Sequence, residues 1–151
     1  MTFMWVVLAV VVTALTAWAY NTAQRLNRLH IRLDRSRDAL QAALDRRCAV
    51  IAAIYPELGA AAQRTEQVRL TPEDVRTRLA QEEHLASQVA ERYAGAGAPG
   101  PLNDADIRAE LAIRFYDDAV ADTRALRLRP SVSFLRLGGT AALPQFARDD
   151  R

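Results

Sequence analysis

The chain has 151 residues and no lysine; all 20 of its basic residues are arginine. A single cysteine, Cys48, excludes an intramolecular disulfide and suits a reducing compartment. The two histidines, His30 and His84, lie far apart and lack the clustered donors a zinc site needs. Aromatics make up 7% of the residues while alanine is abundant, which disfavours a sandwich and favours closely packed helices. A net charge of +2 is too balanced for a general nucleic-acid binder. The glycine-rich stretch at residues 95–101 follows no strand and precedes no Gly-Lys-Ser/Thr, so it reads as an inter-helix loop. Glu82-Glu83 and Asp117-Asp118 are adjacent pairs whose side chains diverge by about 100° on a helix, so they read as solvated faces. Cys48 falls on an apolar stripe with no histidine beside it and reads as a small core residue. No strand, repeat or low-complexity region is visible.

Charge is also missing where it matters most. Residues 3–20, FMWVVLAVVVTALTAWAY, contain no ionisable acid or base below tyrosine. As a helix this run is ~27 Å long, close to the ~30 Å hydrocarbon core of a bilayer. Eight strongly apolar side chains favour insertion by roughly 2.5–5 kcal/mol. Trp5 near one end, and Trp18 with Tyr20 at the other, suit the two headgroup interfaces. Ala17-Trp18-Ala19 mimics a cleavage site, but no basic residue precedes the run, so a retained anchor is expected over a signal peptide. Just beyond it come Arg25, Arg28, Arg32, Arg35 and Arg37. Their position predicts a single-pass protein of the cell membrane with its N-terminus outside and the rest cytoplasmic. Arg25, Arg28 and Arg32 are therefore read with Trp5, Trp18 and Tyr20 as the membrane-interface residues.

Past the anchor the periodicity is helical. Leu26, Leu29, Leu33, Leu40, Leu44, Cys48 and Ile51 form one face of a helix that continues out of the membrane to about Tyr55. Pro56 predicts a kink or break. Residues 57–69 read as helical again. Thr71, with Pro72 behind it, reads as the cap of a third helix on which Val75, Leu79, Glu82, Ala86, Val89 and Tyr93 recur. Asn103 or Asp104 reads as the cap of a fourth, ending near Arg129. That helix offers two apolar rows: Ile107, Leu111, Phe115 and Ala119, and beside it Ala109, Ala112, Tyr116 and Val120. A second basic cluster, Arg124, Arg127, Arg129 and Arg136, reads as complementing the negative end of this helix. Its alternative role, lipid or partner binding, depends on whether residues 57–69 form a separate arm and bring the last helix back to the membrane.

Several segments resemble the LemA family. They are Tyr20-Asn21, Leu44-Asp45-Arg46-Arg47, Gln81-Glu82-Glu83-His84-Leu85, Arg114 to Val120 (RFYDDAV), Arg129-Pro130 and Leu137-Gly138. Asp117 stands where that family has asparagine, and Ile51-Ala52-Ala53 where it has Ile-Pro-Asn, marking a divergent bacterial member. The resemblance implies a single-pass membrane protein with an antiparallel cytoplasmic bundle and no catalytic residues.

The sequence thus predicts an all-α fold: a transmembrane helix at residues 1–20, a bundle of three to four helices at 21–129, and a tail at 130–151. The expected role is a non-catalytic scaffold or interaction role, with no cofactor and no metal. Expected partners are the lipid bilayer, a membrane or cytoplasmic protein, and a second copy of the chain, but not nucleic acid. An enzyme with an unrecognised site would instead show polar groups converging in a deep pocket. A membrane-tethered nucleic-acid binder would show a continuous arginine stripe.

Overall fold

A computed structural model of the chain describes residues 2–71, 74–93, 97–128 and 143–148. Four α-helices account for most of them: α1 (Thr2–Ile54), α2 (Gly59–Gln67), α3 (Arg76–Tyr93) and α4 (Gly100–Arg127). No strand occurs among the described residues.

The first helix is unbroken for 53 residues, or ~80 Å. Its N-terminal stretch is long and apolar enough to cross a membrane, and none of that stretch is buried in the protein. Thr13 and Thr16 donate to the carbonyls of Ala9 and Val12, which satisfies their hydroxyls within the helix itself. From Leu40 onward the expected stripe turns into a bundle: Leu40, Leu44, Cys48 and Ile51 are buried. Each fully buried leucine or isoleucine contributes ~1.5–3 kcal/mol. As expected, the helix stops just before Pro56. A single 3₁₀ turn, Pro56–Leu58, reverses the chain, and α2 packs back along α1.

Two apolar clusters fix the direction of each helix. The one farther from the apolar stretch of α1 gathers Cys48, Ile51, Tyr55, Leu58, Ala62, Leu85 and Leu102. The other gathers Leu40, Leu44, Leu70, Val75, Ala109, Tyr116 and Val120. From Leu58 to Leu70 the chain therefore descends along α1; α3 ascends from Val75 to Leu85, and α4 descends from Leu102 to Val120. The result is an up-down-up-down arrangement around α1.

Both expected caps move. Helix α3 begins at Arg76, with Asp74 accepting from the Thr77 amide at 3.0 Å, while the Thr71 hydroxyl accepts from the Asp74 amide at 3.1 Å. Thr71 thus shapes the turn and Asp74 makes the cap, because Leu70 and Val75 must both reach the core and the chain between them has to bend. The Thr77 contact holds the Asp74 carboxyl below its ordinary value. Helix α4 starts at Gly100 and not at Asn103 or Asp104: the Pro99 carbonyl accepts from the Leu102 and Asn103 amides, and Leu102 needs that early turn to enter the core. Of α4's two apolar rows, the one with Ala109, Tyr116 and Val120 faces inward, while Ile107, Leu111 and Phe115 stay exposed. Pro72, Gly95, and residues 129–142 with the expected features there, lie outside the described residues.

Residues 143–148 return to α4. The Tyr116 hydroxyl donates to the Gln145 carbonyl at 3.1 Å, and the Ala147 amide donates to Asp117 at 2.7 Å. Asp117 is therefore buried, contrary to its reading as part of a solvated pair; its carboxylate is spent on a backbone donor.

Candidate functional site

Two groups of side chains stand out: a charged cluster inside the bundle, and arginines at the end of the bundle nearest the apolar stretch of α1.

The inner cluster centres on Arg78, whose side chain is 0% exposed. A guanidinium carries five N–H donors, and all five are used here. Nε and Nη2 donate to Glu82 at 3.1 and 2.8 Å, Nη2 also donates to the Cys48 sulfur at 3.7 Å, and Asp45 lies 3.0 Å from Nη2 as an ion pair. Nη1 donates to the carbonyls of Glu66 and Val68 at 3.1 and 2.8 Å, which are orphan acceptors at the C-terminus of α2. Glu82 in turn accepts from Arg47 at 2.8 Å, and Arg47 donates to Asp106 of α4 at 2.6 Å. Gln41 bridges Asp45 to the Leu70 amide. One connected network thus ties α1, α2, α3 and α4. Burial works to lower the Arg47 pKa, but hydrogen bonds and charge from Asp106 and Glu82 outweigh it and the net shift is upward.

Glu82 was expected on a solvated face beside Glu83. It is buried instead, because Arg78 one turn earlier and Arg47 across the interface neutralise it. Cys48 is the small buried residue expected, but it is not surrounded by apolar groups alone: its thiol donates to Glu82 at 3.2 Å. Burial, then the Glu82 charge, pushes the thiol up to about 12 against the pull of Arg78 and Arg47. The group is a neutral thiol at physiological pH, which is poor chemistry for a nucleophile. Among the described residues no group of three or more His, Cys, Asp or Glu side chains is placed to hold a metal ion. His30 is exposed, and His84 is an exposed residue bonded to Gln88 at 2.9 Å.

The outer group is set by helix register. Arg32 on α1 pairs with Asp122 on α4 at 2.7 Å, and Arg47 with Asp106 at 2.6 Å. The two helices are antiparallel, so continuing that register for five residues brings Arg127 level with Asn27 and Arg124 close to His30. Arg25 and Arg28, both exposed, flank the same level. Two arginine clusters almost a hundred residues apart in sequence therefore share one end of the bundle. Tyr20 lies seven residues below that level, ~10 Å along the helix. Trp5, Trp18 and Tyr20 are all exposed on α1. Of the interface arginines expected, Arg32 carries a carboxylate partner, Asp122. Arg124 stacks on Phe146, with its guanidinium carbon 5.0 Å from the ring centre. Arg127 occupies the last turn of α4, where positive charge complements the helix dipole. Arg129 and Arg136 lie outside the described residues.

The inner network escaped sequence reasoning, although a signal existed. Arg78 and Glu82 are one turn apart on the row that contains Val75, Leu85 and Val89; two opposite charges in an apolar row mark a buried pair. No known family pattern matches the chain, and neither does any curated protein or solved structure.

Proposed function

We propose that the chain is a membrane-anchored helical bundle with a non-catalytic scaffold role at the cytoplasmic membrane face, a divergent relative of the LemA type. The observation that carries this reading is the return of α4: it brings Arg124 and Arg127 back to the level of Arg25 and Arg28, about two turns beyond the apolar stretch of α1. Each arginine held near an anionic headgroup layer contributes ~1 kcal/mol. Arginine on this side of the span favours a cytoplasmic bundle. The charged cluster supports a structural rather than a catalytic role, since Arg78 has no donor left for a substrate. The segments similar to LemA proteins also act together here: Arg47 meets Glu82, and Tyr116 and Asp117 hold the returning tail.

The test is crosslinking in intact membranes, followed by mass spectrometry, for the wild type and an Arg124→Gln/Arg127→Gln variant. The expected result is one dominant protein partner together with anionic lipid, both reduced in the variant. Recovery of the protein in the soluble fraction overturns the anchor. Unchanged products in the variant overturn the role of the arginine end.

A further inference from the structure

A polar groove opens on the outside of the bundle between α2 and α3. Arg64 of α2 lines one wall, and Gln81, His84 and Gln88 of α3 line the other, over a floor that includes Ala61 and the buried Leu85. Its volume is about 280 Å³, just under the usual range of small-molecule sites. Register sets its height along α1. Asp45 lies 3.6 Å from Arg69 of the descending chain and 3.0 Å from Arg78 of the ascending α3. Counting from those pairs, Arg64 is level with Val50 and His84 with Ile51. That height is thirty residues beyond Tyr20, ~45 Å along the helix.

The donors around this groove are largely unspent. Arg64 Nε donates back to the Ala60 carbonyl at 3.2 Å, which leaves the four N–H groups of its two Nη atoms without a protein acceptor. Among the described residues Arg64 has no carboxylate partner, and the Gln81 amide has no hydrogen bond. Gln88 Nε2 lies 2.9 Å from His84 Nε2, and either direction of that bond leaves Gln88 at least one N–H. No acidic side chain lines the groove. Glu83 faces the groove between α3 and α4 instead, and Glu66 lies on a separate surface with Gln63 and Arg69. Beyond the upper end, Glu91 and Arg92 both follow Gln88 by one turn and balance in charge. The groove thus holds a cation and neutral donors with nothing negative between them.

We propose that this groove binds a small phosphate-bearing molecule from solution. The Arg64 guanidinium grips the phosphate with its Nη donors, as planar guanidinium groups do with oxyanions. Gln81 and the Gln88–His84 pair supply donors from the opposite wall. A carboxylate presents two oxygens on one edge, whereas a phosphate presents three, so donors arriving from two helices suit the phosphate better. The volume exceeds that of a lone phosphate, and Ala61 with Leu85 gives an organic remainder a small apolar floor. With α1 in a bilayer, a height of ~45 Å is beyond the reach of headgroups. The proposal goes beyond the scaffold reading and stands whether or not α1 crosses a membrane.

The chain carries its own reporter and control, because its two histidines are His84 in the groove and His30, exposed on α1 and ~30 Å lower. The full chain, with nitrogen-15 in its histidines, is held in zwitterionic micelles and titrated with inorganic phosphate at constant pH and ionic strength. The His84 ring signals are expected to shift and saturate while those of His30 stay in place. Arg64→Gln is expected to weaken the apparent affinity by about ten-fold or more, and Arg108→Gln, an exposed arginine on α4, to leave it unchanged. Arg64 is exposed, so its variant keeps the fold, which circular dichroism checks. Succinate is expected to shift His84 less than phosphate does. Equal shifts at both histidines, no saturation, or saturation that survives Arg64→Gln overturns the site. An equal or larger response to succinate overturns the phosphate assignment. A His84 shift produced by phosphatidylglycerol in the micelle and not by phosphate assigns the groove to headgroups and overturns the proposal.

Discussion

Arg32 Nη1 and Asp122 Oδ2 meet at 2.7 Å although ninety residues separate them in the chain. The pair fixes which end of α4 lies beside the part of α1 nearest its apolar stretch. It fixes little else: both side chains are more than half exposed, and solvent-exposed pairs contribute ~0–1 kcal/mol. Asp122→Ala is expected to lower stability by less than ~1 kcal/mol in chemical denaturation and to leave the helix content unchanged. A larger loss means that register depends on this contact and not on the core.

Arg78 presents the opposite case. Its replacement by methionine takes the buried guanidinium away from Glu82 and Asp45, leaving Arg47 on Glu82 and the exposed Arg69 3.6 Å from Asp45, and breaking a buried pair this way costs ~3–5 kcal/mol. The carbonyls of Glu66 and Val68 lose their donor as well. Urea unfolding of Arg78→Met is expected to show that loss, with part of it recovered when Glu82 is changed to glutamine in the same chain. A change below ~1 kcal/mol contradicts the assignment of Arg78 as the tie between helices.

The two buried acids with raised pKa values give a pH dependence of definite sign. Cys48 moves from 9.0 to about 12, and Tyr116 from 10.0 to about 12, through burial first and the Asp117 charge second. The fold prefers their protonated forms, so their contribution is complete below the unfolded values and is lost as pH rises from 9 toward 12. With no lysine in the chain, no amine side chain titrates across that window. Stability is expected to fall between pH 9 and 12, and to fall less in a Cys48→Ala/Tyr116→Phe variant. Alkylation of Cys48 in the folded protein is expected to be slow at pH 8 and to track unfolding.

How much of this was legible beforehand varied with the kind of signal. Long-period apolar patterning was enough for α1, because Leu33, Leu40, Leu44, Cys48 and Ile51 admit only one face. Pro56 marked its end for a local steric reason. For α4 the same periodicity left two neighbouring rows equally good. The choice between them is tertiary: Ala105 and Ala109 let α4 approach α1 closely, and that turns Tyr116 inward and leaves Phe115 outside. Arg78, Glu82 and Asp117 were unreadable by hydropathy because their burial depends on partners from other elements. The arginines at 124 and 127 were visible as a cluster, but their return beside Arg25 and Arg28 needed three reversals, at Pro56–Leu58, between α2 and α3, and between α3 and α4.

The returning segment yields a further expectation. Tyr116 and Asp117 hold residues 145 and 147 through one hydrogen bond each, and a neutral bond of this kind contributes ~0.5–1.5 kcal/mol, more where a carboxylate accepts. Tyr116→Phe/Asp117→Ala is expected to expose residues 143–148 to limited proteolysis at a rate clearly above wild type, while the helical bundle resists. Equal cleavage rates contradict the role assigned to the pair.

The position of the arginine end of the bundle relative to the bilayer decides the proposed role. A fluorophore on Leu128→Cys, an exposed position one residue past α4, and one on Gly97→Cys, in the loop before α4 at the other end, report that directly. The full chain is reconstituted in vesicles whose headgroups carry a quencher. Strong quenching at position 128 and little at 97 is the predicted result. Equal quenching at both positions, or stronger quenching at 97, contradicts an upright bundle whose α4 returns its arginines to the membrane.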